Sequence, residues 1–213
     1  MKRSGLRKTS KKCKPKIDLI SNIDPDLKNK TIIVDFSNGC GSPYGTIKGS
    51  IKVSYTGGFG QSGASINIRM DNFGVGDIAL NGTVGLNDFK KTGVNLLEYK
   101  VKITDLTAVY QGSSLRATME MGQSWKNFQT TNTNDDEVVT SLKGNYFVSD
   151  LNYDVETTTN LLTKGACSAN VAVSGIMKIV MKEVTGVLDY GTGNCDMVGM
   201  LTVGNQSKTV ELR

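Results

Sequence analysis

Residues 186–213 read GVLDYGTGNCDMVGMLTVGNQSKTVELR, and their pattern decides the fold class. Val187, Leu188 and Tyr190 run into the turn residues Gly191-Thr192-Gly193-Asn194. Beyond the turn, Cys195, Met197, Gly199, Leu201 and Val203 alternate with Asp196, Val198, Met200 and Thr202. A period of two places successive side chains on opposite faces of a strand. Gly204-Asn205 reverses the chain, and residues 207–212 supply a last strand with Val210 and Leu212 on one face and Thr209 and Glu211 on the other. The order of apolar residues, aspartate, aromatic, glycine turn and cysteine has an echo at 32–41, IIVDFSNGCG.

Working outward, the same period recurs along the chain. Ile47, Gly49, Ile51, Val53 and Tyr55 alternate with Lys48, Ser50, Lys52 and Ser54, which predicts a half-buried strand with a polar outer face. Residues 64–70 repeat the period, and Asp71-Asn72-Phe73-Gly74 is expected to close that strand. Ile78 to Leu86, Leu97 to Ile103 and Val109 to Met121 follow suit, and 138–148, 151–159 and 166–184 add about four strands. The polar stretch QTTNTNDD at 129–136 predicts an exposed loop or a seam between two halves. No stretch holds a helical period with a capping signal, and the three prolines all precede residue 44. The fold class is therefore all-β and antiparallel: a sandwich, a curved double sheet or an open barrel of about eleven or twelve strands.

Composition narrows the chemistry. The chain contains no histidine, which removes Ser-His-Asp and Cys-His nucleophile systems and histidine zinc sites. Its four cysteines, Cys13, Cys40, Cys167 and Cys195, form no C-x-x-C pair. Gly58-x-Gly60-x-x-Gly63 has the spacing of a dinucleotide fingerprint, but the segment after it is β-patterned, whereas a phosphate site needs a helix opening there. Asp71-Asn72 with Asp77, the run 134–137, and Asp189 with Asn194 and Asp196 lack the spacing of a calcium loop and read as turn formers. The sequence thus assigns no catalytic residue, no metal ligand and no cofactor. Trp125, the single tryptophan, is expected to anchor the core.

The net charge of +5 is unevenly spread. Residues 1–16, MKRSGLRKTSKKCKPK, hold eight of the 25 basic residues and no acid, leaving 17 basic against 20 acidic residues beyond them, a net of −3. Residues 1–29 therefore predict a disordered basic tail and linker, of which 1–16 are expected to be dispensable for folding, and residues 30–213 a single antiparallel β domain. Without interleaved aromatics the tail offers no specific nucleic-acid site. It has the charge of a signal-peptide start without the apolar segment that follows one, and no apolar run is long enough to cross a bilayer as a helix.

The repeated aspartate, aromatic, glycine-rich turn and cysteine, with 189–196 (DYGTGNCD) leading into a valine-rich hairpin, resembles a family of uncharacterised β-rich secreted lipoproteins of Bacteroidota. Residues 48–57 (KGSIKVSYTG) and the Ala166-Cys167 segment leading to Val173-Ser174-Gly175 extend the resemblance over roughly 31–213. It implies a cell-envelope or secreted location, with membrane attachment only through a lipid anchor or signal segment not visible in this chain, and it supplies no catalytic residue. In such an oxidising compartment Cys167 and Cys195, on nearby predicted strands, are expected to pair. Asp35 and Gly39, and Asp189, Gly191 and Gly193, are expected to be structural, each aspartate accepting amides of its following turn. The rival is convergence of the two aspartates on one cleft. The expected function is a non-catalytic binding or scaffolding protein for a glycan or protein partner. The competing class is a histidine-free carbohydrate-active enzyme using paired carboxylates.

Overall fold

The structure, a computed structural model, describes residues 15–21, 29–58, 60–128, 130–167 and 171–212. The basic segment 1–14 and positions 22–28 of the expected linker lie outside the described residues. The strands are β1 (Lys16–Ser21), β2 (Asn29–Asp35), β3 (Cys40–Ser42), β4 (Gly45–Thr56), β5 (Ser65–Val75), β6 (Ile78–Thr92) and β7 (Leu96–Tyr110). They continue as β8 (Ser113–Lys126), β9 (Glu137–Val148), β10 (Leu151–Lys164), β11 (Ser174–Met181), β12 (Val184–Thr192), β13 (Val198–Val203) and β14 (Gln206–Glu211). All pair antiparallel in one sheet, in chain order from β1 to β14 except that β3 lies beside β4. The sheet is open, with β1 and β14 at its two edges.

Tight hairpins make this meander. Gln111-Gly112 and Ser149-Asp150 are two-residue turns with both φ angles positive, at 47° and 82° and at 44° and 71°. Such turns match the right-handed twist of the strands they join, and Gly and Asp tolerate them. They alternate with longer loops at the opposite end of the sheet. One of these, 127–136, carries a single 3-10 turn at Thr133–Asp135 capped by Asn132. Because β8 and β9 pair directly, from Leu115 opposite Val148 to Lys126 opposite Glu137, this stretch is a loop between neighbours and not a seam.

Several sequence expectations change. Residues 17–21, placed in a linker, belong to β1, which lies along β2 from Lys16 opposite Asp35 to Ser21 opposite Lys30. An unpaired β2 edge would leave a row of amides and carbonyls without strand partners. The strand expected within 166–184 begins only at Ser174, and residues 171–173 precede it outside any strand. β5 does not stop at Asp71 but runs to Val75 through a bulge at Asn72.

That bulge has a counterpart. Asn72 and Asp105 are extra residues in β5 and β7, with φ of 46° and 47°, and the extra residue keeps Phe73 and Leu106 on the same face as Met70 and Ile103. A bulge presses backbone against the neighbouring strand, and a glycine sits there each time. A Cβ on Gly49 would strike the Asn72 carbonyl, and one on Gly82 would lie 2.6 Å from Leu106 Cα. These paired devices bend the sheet.

The register gives the sheet two unlike faces. One row runs Ile32, Val53, Ile68, Val84, Ile103, Met119, Gly144, Val155, Ile179, Gly186, Val203. The row one residue along runs Thr31, Ser54, Asn67, Gly85, Lys102, Glu120, Lys143, Glu156, Lys178, Val187, Thr202. Burial on the apolar face is deepest toward the loop end. There Ala64, Phe89 and Leu97 form the core with Ile66, Leu86, Tyr99 and Phe128 packed against them. Phe89 stacks on Tyr99 with centroids 5.5 Å apart, and buried Gly60 brings the β4–β5 loop over Leu97. Only Phe89 and Leu97 are fully buried large side chains among the described residues, so most of the apolar face is half-buried. That is the expected state of a sheet with no second layer across it among the described residues.

Candidate binding trough and the structural turns

The polar face carries the feature most suited to recognition. Along five adjacent strands, β7 to β11, the row Lys102, Glu120, Lys143, Glu156, Lys178 alternates in sign. Lys102 Nζ lies 3.2 Å from Glu120 Oε1 and Lys178 Nζ lies 3.3 Å from Glu156 Oε1, with Lys143 between the two glutamates. Exposed pairs of this kind contribute about 0–1 kcal/mol each, so their main effect is to hold long side chains in place on a solvated face.

Beside this ladder the sheet surface dips. A trough of about 620 Å³ spans β6 to β10 and is lined by Asp88, Lys100, Gly122, Ser141 and Asn160 together with ladder residues. A shallower pocket of about 270 Å³ continues it past Lys90, Glu98 and Ser124. The floor stays low because Gly122 and Ser141 stand opposite each other, where a Cβ on Gly122 would sit 2.8 Å from Ser141 Oγ. One wall comes from a bulge in β6, where Asp88 adopts φ 55° and its carboxylate reaches Lys100 Nζ at 2.8 Å. The hydrogen bond from Lys100 and its charge hold the Asp88 carboxyl below the usual carboxylate range, and the same contact raises Lys100. The far wall carries Asn160, in the stretch of β10 that is out of register with β9 between Glu156 and Leu161. The trough offers carboxylates, ammonium groups, hydroxyls and amides at the surface.

Glu120 and Glu156 are poorly placed for acid and base work as a pair. Glu120 and Glu156 stand two strands apart, about 9.6 Å between backbones at ordinary strand spacing. Glu120 leans toward β7 and Glu156 toward β11, each drawn to its lysine and away from the other. Glu120 is 71% exposed, far from the apolar enclosure that tunes a general acid.

The aspartates Asp35 and Asp189 do not share a site. They lie on β2 and β12, nine strand steps apart. Asp35 Oδ1 accepts from the Ser37 amide at 2.7 Å, and Asp189 Oδ1 accepts from the Gly191 amide at 2.8 Å. The Ser37 backbone bond, then the Ser37 side chain, lowers the Asp35 carboxyl. Gly39, at φ 71°, closes the first turn by donating to the Phe36 carbonyl at 2.8 Å. In the second turn Gly193 donates to the Val173 carbonyl at 2.8 Å and its own carbonyl accepts Lys164 Nζ at 3.0 Å. Cys167 and Cys195 are joined by a disulfide with 5.2 Å between Cα atoms, so the β10–β11 and β12–β13 loops are tied at one point. Cys40 is buried and disulfide-bonded as well.

The other polar clusters are bonded within their loop or to a neighbouring strand. The Asn72 amide donates to Asn81 Oδ1 at 2.7 Å, Thr130 Oγ1 donates to Asp135 Oδ1 at 2.8 Å, and Glu137 pairs with Lys126 at 3.0 Å. Among the described residues no group of three or more acidic, cysteine or histidine side chains is arranged to hold a metal ion. Trp125 is half-buried and meets Phe128 edge-on at 6.3 Å, with its indole N–H buried and unpartnered. Burial pushes the hydroxyls of Tyr99, Tyr146 and Tyr190 above the usual tyrosine range, with Tyr146 adding to the effect at Tyr190.

The trough residues Asp88, Lys100, Gly122, Ser141 and Asn160 were not singled out by the sequence. Each strand showed its own polar alternation, but only the register across five strands brings those positions together. No family model, no curated protein and no solved structure matches this chain.

Proposed function

We propose that the protein is a non-catalytic binding or scaffolding module of the cell envelope or secreted space, holding a polar ligand such as a glycan, or an extended protein segment, in the trough over β6 to β10. The observation that carries this reading is the low floor at Gly122 and Ser141 between side chains pinned by ion pairs. A polymer lying there meets donors and acceptors already ordered, which reduces the entropy lost on binding. The Cys167–Cys195 disulfide supports an oxidising compartment. The separation of Glu120 and Glu156 by their lysines favours holding over glycoside hydrolysis. The test is a glycan and protein-partner screen of the full chain beside a Ser141→Trp variant that fills the trough. The expected result is a ligand bound by the parent and lost by the variant; equal binding by both, or turnover of a bound glycan by the parent, would refute the proposal.

A further inference from the structure

Large apolar side chains are exposed at the end of the sheet where the tight hairpins lie. Tyr44 at the β3–β4 turn is 85% exposed and Tyr110 beside the β7–β8 turn is 50% exposed, and Ile78, Phe147, Leu151 and Val184 stand beside the β5–β6, β9–β10 and β11–β12 turns. From β4 to β12 this rim spans about 38 Å along the sheet at ordinary strand spacing.

Two further observations choose its partner. Exposed apolar side chains stand on both faces of the rim, among polar turn residues. Ile78, opposite Tyr110, and Leu151, opposite Val148, share the apolar face, whereas Phe147, opposite Arg116 and Asn152, stands on the ladder face. A second copy stacked on the sheet would cover one face only; a girdle around both suits end-on contact with a surface. Further, the chain enters the sheet from this side, because Lys16 at the start of β1 lies opposite Asp35 at the rim-side end of β2. The sequence leading into it, residues 1–14, carries seven basic residues and no acid.

We infer that the hairpin rim docks on the interface of an anionic phospholipid bilayer, with the basic N-terminal sequence supplying the attraction and the rim side chains the anchorage. Tyrosine favours the headgroup region, phenylalanine and leucine insert just beneath it, and a basic segment beside an apolar anchor strengthens a weak interfacial contact. Asp77 and Asp150 in the turns limit the depth, since a carboxylate costs little at the interface and much at the bilayer centre. This surface is separate from the trough, which is left open toward solvent.

The test is flotation of the full chain with vesicles of phosphatidylcholine alone and of phosphatidylcholine mixed with phosphatidylglycerol. The parent should float with the anionic vesicles and less with the neutral ones. A combined Tyr44→Ser, Tyr110→Ser, Phe147→Ser and Leu151→Ser variant, shown folded by circular dichroism, should lose about tenfold or more in partitioning. A separate Tyr110→Trp variant should shift its emission to the blue when anionic vesicles are added. Absence of flotation, undiminished flotation of the rim variant, or an unshifted emission from the new tryptophan would overturn the inference. So would a parent dimer that the rim variant dissociates, which would assign the rim to a second copy of the chain.

Discussion

Replacing Gly82 by alanine tests the bend in the sheet. Gly82 has φ 131°, and a Cβ there would lie 2.6 Å from Leu106 Cα and 2.8 Å from the Asp105 carbonyl oxygen. Both obstacles are backbone of the bulged strand, so they cannot rotate away. Backbone strain costs about 1–3 kcal/mol and overpacking about 1–3 kcal/mol more, a central sum of about 4 kcal/mol. Gly204, in the β13–β14 turn, is the control. Its φ is 57° with nothing within 4 Å of a Cβ, so alanine there meets only the left-handed penalty of about 1–2 kcal/mol. At about 2–4 °C of Tm per kcal/mol, Gly82→Ala should lower Tm by about 8–16 °C and Gly204→Ala by about 3–6 °C. Thermal unfolding followed by circular dichroism reads both. Equal losses would show that the bulge does not press on β6 as described.

Three other outcomes follow from local geometry. Cys167→Ser should cost about 3–4 kcal/mol in denaturant unfolding, the loop-closure value for cysteines 28 apart in sequence, and a reducing agent should erase the difference between parent and variant. Trp125→Phe should change stability by less than about 1 kcal/mol, because lost contact is offset by removal of a buried unpaired donor; a loss above about 3 kcal/mol would mean that the indole N–H is bonded. The Asp35 carboxyl should titrate below its ordinary value of 3.8 by NMR. Since its folded value is depressed, the stabilising contribution of the Ser37 bond is present above that ordinary value and fades as pH falls through the folded one, and a midpoint at or above 3.8 would sink this assignment.

Much of the fold was legible in the sequence because a two-residue period survives in single strands. Of the alternation read over 195–203, only 198–203 appears as β13, because the chain at 195–197 stays in the disulfide-tied loop with Met197 at φ 53°; the Gly204-Asn205 turn then leads into β14. Short carboxylates ahead of glycine turns likewise pointed to Asp35 and Asp189, whose bonds are local. What escaped depends on pairing between strands. Asn72 looked like a strand terminus because a bulge and a turn share residue types, and only the partner glycine at 49 distinguishes them. β1 exists through its pairing with β2 in the register that sets Lys16 opposite Asp35. The single continuous sheet, in place of two stacked ones, follows from hairpins that keep each strand beside its predecessor, which alternation alone does not specify. The trough needed register over five strands, and so did the charge ladder.

The measurement closest to the functional claim is a hydrogen-exchange footprint of the parent chain with the glycan or protein ligand retrieved by the screen. The trough predicts slowed exchange concentrated in β7 to β10 around Lys100, Gly122, Ser141 and Glu156, with the β12 to β14 region unchanged. Protection confined to β12 to β14, or to the hairpin rim, with the trough amides unaffected, would contradict it.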